Sequence, residues 1–313
     1  MSNSTTSASQ FRAARRSFEY SLVDVFAERP LEGNPLVIFA DARGLSTAEM
    51  QSLARETNLS ETTFILPRET DVERVRGVQV RIFTVREELK FAGHPTLGTA
   101  SWLYMNRPEL QEEGTVTLDL QVGPISVAFD REQRGTGIFG TMTQKDPALG
   151  ELHDRSVVAP ILGLTPDNLD TSLPVQTVST GMNICVVPLR SLEVARRLAI
   201  RQSLAQEYLE RCGAKFFYCI TRAEPGSGAD WHARMQFYNG EDPATGSAAG
   251  CAIAYLVRRG AAATGQRIVI EQGVEMLRPS RIYAQATFTA GQIRDVRVGG
   301  RTIPIASGRF LLP

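Results

Sequence analysis

Short apolar runs, broken repeatedly by glycine, proline and asparagine, set the texture of the chain. Tyr20-Ser21-Leu22-Val23-Asp24-Val25-Phe26 is apolar and branched, which predicts a strand. Arg29-Pro30-Leu31-Glu32-Gly33-Asn34-Pro35 is turn chemistry, and Leu36 to Phe39 predicts a second strand. Ser46 opens a capping box with Glu49, and Met50, Leu53 and Ala54 follow at helical spacing up to Thr57. Strands are expected at Thr62 to Leu66 and at Val78 to Phe83, the latter largely alternating apolar with polar. Leu97 to Tyr104 predicts a buried helix, followed by strands near Val116 to Leu120 and Ile125 to Phe129.

The second half has the same texture. Strands are expected at Val175 to Ser179, Ile184 to Val187, Phe216 to Thr221 and His232 to Phe237, with a helix at Leu192 to Leu198. Gly240 to Ser247 reads as a small-residue loop and Ala248 to Arg259 as an apolar helix. The last strands are expected at Arg267 to Glu271, Arg281 to Phe288 and Ile293 to Val298. Each half thus carries a strand, a polar glycine-containing loop and a strongly apolar helix, which suggests a duplicated domain. Strands outnumber helices, so the expected class is α+β, with a curled, mostly antiparallel sheet around one long helix per domain. No GxGxxG or GxxxxGK[ST] stretch occurs, which disfavours dinucleotide and P-loop folds.

Composition narrows the partners. The 313 residues include 34 Lys+Arg and 34 Asp+Glu, a formal net charge of zero. Such a balance disfavours a nucleic-acid or membrane-surface partner, both of which call for a basic excess. At 42% hydrophobic and 22% charged the chain is globular, and its length suits two domains. No apolar run is long enough to span a bilayer, and no secretory segment follows Met1. The four cysteines, Cys185, Cys212, Cys219 and Cys251, form no CxxC pair, so a structural zinc site is not expected. They read as reduced, buried small hydrophobes of a cytoplasmic protein. Residues 1–17, rich in Ser, Thr and Ala with three arginines, read as a disordered leader, with a transit peptide as the alternative. Domains are expected over 18–130 and 131–313, with the final strand a candidate to complete the first.

The candidate chemistry sits at the two loop–helix junctions. Helix N-termini offer unpaired N–H groups and a positive dipole end, and a glycine there lets a ligand approach the backbone. Two such ends in one cleft would hold a small carboxylate or phosphate; otherwise both loops are ordinary caps. Asp242, before Pro243, is either an N-cap or a substrate-binding carboxylate. His94, in Gly93-His94-Pro95-Thr96, is either a neutral acid/base group or a satisfied loop residue. Glu61 falls between a helix and a strand, among Leu59, Phe64 and Ile65. Burial there would raise its pKa toward neutrality, as proton abstraction requires; the alternative is an exposed loop glutamate. His153 and His232 read as structural.

Val23-Asp24-Val25-Phe26, Gly33-Asn34-Pro35, Asn58-Leu59-Ser60-Glu61-Thr62-Thr63-Phe64, Phe91-Ala92-Gly93-His94-Pro95-Thr96-Leu97-Gly98 and Gly240-Glu241-Asp242-Pro243-Ala244-Thr245-Gly246-Ser247-Ala248 occur in that order. With Gln272-Gly273-Val274-Glu275 and Arg278-Pro279-Ser280, they resemble the phenazine-biosynthesis isomerase-like (PhzF-like) family over residues 18–300. The resemblance implies a diaminopimelate epimerase-like fold with the site between two similar domains. The cysteine pair of the related epimerases and racemases is lacking, and Cys251 lies too deep in its helix to replace it.

By the same resemblance, Glu61 is the general acid/base, His94 orients the substrate or assists the proton, and Asp242 holds an amine or hydroxyl. Ser247, with the N–H groups of Gly246 and Gly93, holds the substrate carboxylate. Neither a metal nor any cofactor is implied, and a homodimer is. The expected function is cofactor-independent isomerisation of a small carboxylate, of the trans-2,3-dihydro-3-hydroxyanthranilate isomerase type. Epimerisation or racemisation of an amino-acid derivative, and metabolite binding without turnover, are the alternatives.

Overall fold

The computed structural model describes residues 16–130, 135–238 and 240–313. Two helices that are apolar on every side organise it. Gly93–Asn106 buries eleven of its fourteen residues, and Gly246–Arg258 buries every residue except Arg258. A helix without a polar face has to be enclosed. The sequence elements around each one supply the enclosure as a curled sheet.

The first curl closes on itself. Arg16–Val25 pairs antiparallel with Asn34–Phe39, which pairs in parallel with Thr62–Leu66. Thr62–Leu66 pairs antiparallel with Val78–Phe83, and that strand in parallel with Thr115–Leu120. Gly123–Phe129 and Ile138–Thr143 follow antiparallel, and Gln292–Leu312 joins Ile138–Thr143 to Arg16–Val25. Gly93–Asn106 runs through the middle of this ring. The second curl repeats the order. From Val175–Ser179 the pairings to Asn183–Pro188, Phe216–Arg222, Trp231–Phe237, Ile268–Gln272, Ser280–Thr289 and Gln292–Leu312 run antiparallel, parallel, antiparallel, parallel, antiparallel, antiparallel. Gly246–Arg258 fills its centre. The fold is thus α+β, with one curled sheet per central helix.

Several expectations change at their edges. Arg16 and Ser17, placed in the leader by the sequence, belong to the first strand and pair with Leu312 and Leu311, while residues 1–15 of the expected leader lie outside the described residues. Hydrogen bonding carries the first curl to Thr143, past the expected boundary at residue 130. The last strand does not stop at Val298 but continues to Leu312. Gly299, Gly300 and Pro304 read as a strand end in the sequence, yet each has a packing reason. A Cβ on Gly300 would sit 2.4 Å from the Phe26 ring, and one on Gly299 2.7 Å from the Gly140 carbonyl. Pro304 lies opposite Val23, where the register slips by a bulge, a position that tolerates proline. Gly93–Asn106 and Gly246–Arg258 both start earlier than the apolar pattern suggests, so the first helical turns are made of loop-like residues.

The Ser46–Glu49 capping box forms, and Met50, Leu53 and Ala54 are buried beneath its helix, Thr47–Thr57. All four cysteines are free thiols; Cys212 is only half-buried, unlike the other three. Among the described residues no helix is long and apolar enough to cross a membrane.

The enclosure leaves no spare volume against the central helices. An added Cβ at Gly98 would lie 2.6 Å from Val25 Cγ2 and 2.7 Å from Leu36 Cδ2. Overpacking of this kind costs about 1–3 kcal/mol. Gly98→Val is therefore expected to destabilise the protein by that amount, read as a fall in the urea midpoint at unchanged slope. A midpoint equal to the wild type would show that the ring is not tightly closed on the helix.

Candidate active site

The starts of the two central helices touch. A Cβ on Gly93 would lie 2.6 Å from the Ser247 nitrogen and 3.0 Å from the Gly246 carbonyl carbon. Only glycine permits that approach. The first N–H groups of a helix have no intrahelical acceptor, so the junction gathers donors and two positive dipole ends at one point. A cavity of about 20 Å³ lies against it, room for roughly one water. Glu61, His94, Asp242, Gly93, Gly246 and Ser247 all line this cavity, so the chain brings together every residue singled out from its sequence. Met182, Phe216, Met235, Phe237 and Tyr238 form its apolar wall. A larger cavity of about 270 Å³ adjoins it and shares Lys215, Phe216 and Tyr238. Lys215 Nζ and Tyr238 OH both reach Glu87 Oε1, each at 2.8 Å, from across the cleft.

Local structure aims each group inward. Helix Thr47–Thr57 stops at Asn58, whose left-handed backbone (φ 51°) turns the chain back before Thr62–Leu66 begins. Glu61 lies in that return and is 5% exposed. His94 is the second residue of its helix, and its Nδ1 lies 3.2 Å from Glu61 Oε2. Asp242 ends the short strand Gly240–Asp242 and is not a helix cap; Thr245 occupies that position. The Asp242 carboxylate instead accepts from Asn34 Nδ2 at 2.8 Å, from Ser60 Oγ at 2.7 Å and from the Thr245 hydroxyl. Asn34 Nδ2 also lies 3.0 Å from the Ala244 carbonyl and 3.3 Å from His94 Nδ1. Donation from Asn34 makes Nδ1 an acceptor and leaves the ring proton on Nε2, a tautomer inferred from this network. Gln272 supports the loop from below, donating to the Asp242 carbonyl at 2.7 Å and to Thr245 Oγ1 at 3.0 Å. Its own Oε1 accepts from Tyr218 OH and from the Thr245 nitrogen.

Burial decides the charge states. Glu61 is pushed well above the usual carboxylate range, first by desolvation and then by the neighbouring Asp242 charge. Asp242 rises to about 6 for the same first reason, held back by hydrogen bonds from Thr245, Ser60 and Asn34. Desolvation lowers His94 to about 3, so burial, more than the helix end, keeps its ring neutral. Both shifts favour the neutral form, upward for the Glu61 carboxyl and downward for the His94 ring, so they work against an ion pair across the 3.2 Å contact. Glu61 Oε2, His94 Nε2 and Asn34 Oδ1 are buried without a hydrogen-bond partner. Each such atom costs about 1–3 kcal/mol. Three in one cluster leave hydrogen-bonding capacity that a bound molecule would satisfy.

Asn34, Ser60 and Gln272 were not singled out as site residues. Asn34 read as turn chemistry, and it meets Asp242 across 208 residues of chain, a distance at which spacing carries no signal. Among the described residues no group of three or more His, Cys, Asp or Glu is arranged to hold a metal.

The family model of phenazine biosynthesis-like proteins matches residues 23–308. A trans-2,3-dihydro-3-hydroxyanthranilate isomerase of Pseudomonas chlororaphis is 36% identical, over 94% of this chain and 99% of its own length. Among solved structures, a phenazine biosynthesis protein of the PhzF family from Bacillus anthracis superposes with a TM-score of 0.84. It is 25% identical and covers 95% of this chain and 100% of that one. A hydroxyproline epimerase from Agrobacterium vitis shares the fold at a TM-score of 0.64 and 14% identity, over 95% of this chain and 93% of its own.

Removing the Asp242 charge takes away one of the two causes that raise Glu61. Asp242→Asn is expected to lower the Glu61 pKa, so that its carboxyl titrates at lower pH in ¹³C NMR. A Glu61 titration unmoved by the substitution would show that the two carboxyls do not interact.

Proposed function

This chain belongs to the phenazine biosynthesis-like family, and on that premise we propose that it is an isomerase moving a proton between carbons of a small carboxylate. The observation that carries the proposal is Glu61: a buried carboxyl with a raised pKa, facing an enclosed cavity beside a neutral imidazole. One carboxyl group suffices for the chemistry. Ionised, it takes a proton from one carbon; the electron pair left behind spreads into the adjacent unsaturated system. The carboxylic acid so formed returns the proton to another carbon, and the enzyme ends as it began. The balance needs no oxidant, reductant, metal or nucleotide.

The other residues take supporting parts in this reading. The N–H groups at Gly93 and Gly246, with Ser247, hold the substrate carboxylate against the two dipole ends. Asp242 accepts from an amine or hydroxyl, and the His94 Nε2–H orients the substrate. A preorganised, enclosed site makes these weak groups effective because they need no reorganisation during the step. The cavity of about 20 Å³ is smaller than any ring carboxylate, so its aromatic wall has to move aside for binding. A trans-2,3-dihydro-3-hydroxyanthranilate-like compound, a cyclic diene carrying carboxylate, amine and hydroxyl, offers one partner to each group. A dimeric state, implied by the resemblance, and a cytoplasmic location, read from the cysteines, complete the proposal.

Turnover of that compound in deuterated water tests the acid/base assignment. Glu61→Gln is expected to lower both turnover and deuterium incorporation by roughly 10²–10⁴-fold, the usual contribution of a positioned acid/base group. Undiminished incorporation in the variant would remove Glu61 from the mechanism. The pH dependence follows from the direction of the shift. Glu61 must be ionised to begin, so kcat/KM is expected to rise with pH through an apparent pKa above the ordinary carboxylate value of about 4.3. A rise complete by pH 5 would contradict it.

A further inference from the structure

His232 read as a structural residue in the sequence, but its surroundings give it more to do. It is 1% exposed on strand Trp231–Phe237. Its Nδ1 lies 3.0 Å from Glu271 Oε1 and its Nε2 3.0 Å from Glu275 Oε1. Two carboxylate acceptors require two N–H donors, which only the imidazolium has. Arg281, from the neighbouring strand, reaches Glu271 Oε2 at 3.1 Å. Arg234, two residues along from His232, pairs with Glu241 and acts on Glu275 through its charge. Three cations thus meet three carboxylates, and loss of the His232 proton leaves one buried negative charge uncompensated. On strand Phe216–Arg222 the residue opposite is the uncharged Thr221.

Glu271 precedes, and Glu275 lies within, the segment that connects the two sides of the site. Gln272 holds the Asp242 carbonyl and Thr245. Gly273 is packed so closely under Pro243 that a Cβ would lie 2.6 Å from its carbonyl oxygen. Ser280 Oγ bonds that same Pro243 oxygen at 3.1 Å. At the far end Arg278 reaches Asp24 Oδ1 at 2.6 Å and the Gly33 carbonyl at 2.9 Å. The Gly33 nitrogen donates to the Pro279 carbonyl at 2.8 Å. Gly33 precedes Asn34, the residue that holds Asp242 and contacts His94. The segment is therefore a strap fastened to the Asp242 loop on one side and to the Asn34 loop on the other. Between these fastenings Glu275 ties the turn to strand Trp231–Phe237, through His232.

We propose that His232, clamped between Glu271 and Glu275, is a positioning residue of this site, acting through the strap from Gln272 to Ser280. It sets the register of the Asp242 loop against Asn34 without touching substrate. Its charge state supplies a pH window. Burial alone would lower the His232 pKa, but the hydrogen bonds and charges of Glu271 and Glu275 outweigh it and raise it from 6.5 to about 9. A raised pKa means the contribution is fully present below 6.5 and is lost as pH rises through about 9. The two glutamates are lowered from 4.5, Glu271 mainly by its His232 hydrogen bond, Glu275 by His232 against its own desolvation. Their contribution is present above 4.5 and fails toward acid.

Hydrogen exchange of the peptide covering 272–280, measured from pH 6 to 10 beside the kcat and KM profiles, tests this. In the wild type, protection of the strap is expected to fall through about pH 9, and kcat to fall with it. In His232→Gln, protection at pH 7 is expected to drop by roughly tenfold or more and to lose its pH dependence, with the alkaline fall of kcat abolished. A variant with wild-type protection and a wild-type alkaline limb overturns the proposal. If His232→Gln does not fold, Glu275→Ala keeps the Glu271–His232–Arg281 set and carries the same test; an unchanged strap there is equally fatal. The kinetic arm rests on the isomerase reading, but the exchange arm does not. Strap loosening in a protein with no turnover would sink that reading and leave the positioning role standing.

Discussion

The contact of two buried helix starts, with the Gly93 Cα directed at the Ser247 nitrogen, is the constraint on which the rest depends. Helix ends repel when their positive poles meet, so the arrangement needs support from outside. It is supplied by two sheets, each curled around one helix and each apolar on its inner side, and by a final strand shared between them. The small residues at the helix starts follow from the same demand. Gly246 abuts the Phe26 ring, and Phe26, at φ 61°, accepts a left-handed backbone while wholly buried there. Strain of that kind persists only where packing over-determines it.

Dry walls around polar groups give the site its electrostatic character. The same desolvation acts on Glu61, Asp242 and His94, yet the outcomes differ because the hydrogen bonds differ. Asp242 has three donors, which hold its rise back; the buried Oε2 of Glu61 has none, and its carboxyl is pushed up further from the usual range. In the proposed isomerase, these two carboxyls of different environment and the neutral imidazole between helix dipoles are the acid/base set. Among the described residues, Lys215 is the one Lys or Arg lining the innermost cavity, and Glu87 engages it. In the proposed function the backbone thereby supplies the positive potential for the substrate carboxylate, which is compatible with a net charge of zero.

A second layer of polar residues transmits this geometry across the cleft. Asn34 and Ser60 come from the first curl, Gln272 and Thr245 from the second, and all four converge on Asp242. The His232 cluster lies one step further out and fixes the strap on which Gln272 and Arg278 are carried. The site is thus a set of loops held in mutual register by buried hydrogen bonds, with the sheets as the fixed frame.

The sequence alone determined the local elements whose signals are local. Period-two alternation marks Val78–Phe83, the Ser46 capping box marks its helix, and all-round apolarity marks the two central helices. Motif order made the family and the six cavity-lining residues legible. Tertiary structure decided what depends on distant partners. Gly299, Gly300 and Pro304 look like breakers until close packing requires the two glycines and a bulge accommodates the proline within the strand. Asp242 looks like a cap until Asn34 and Ser60, far away in sequence, take its carboxylate. His232 looks isolated until folding brings up Glu271 and Glu275. The physical reason is common to all three. Dihedral preference and amphipathicity act over a few residues, whereas close packing, desolvation and charge pairing exist only once the chain has closed around them.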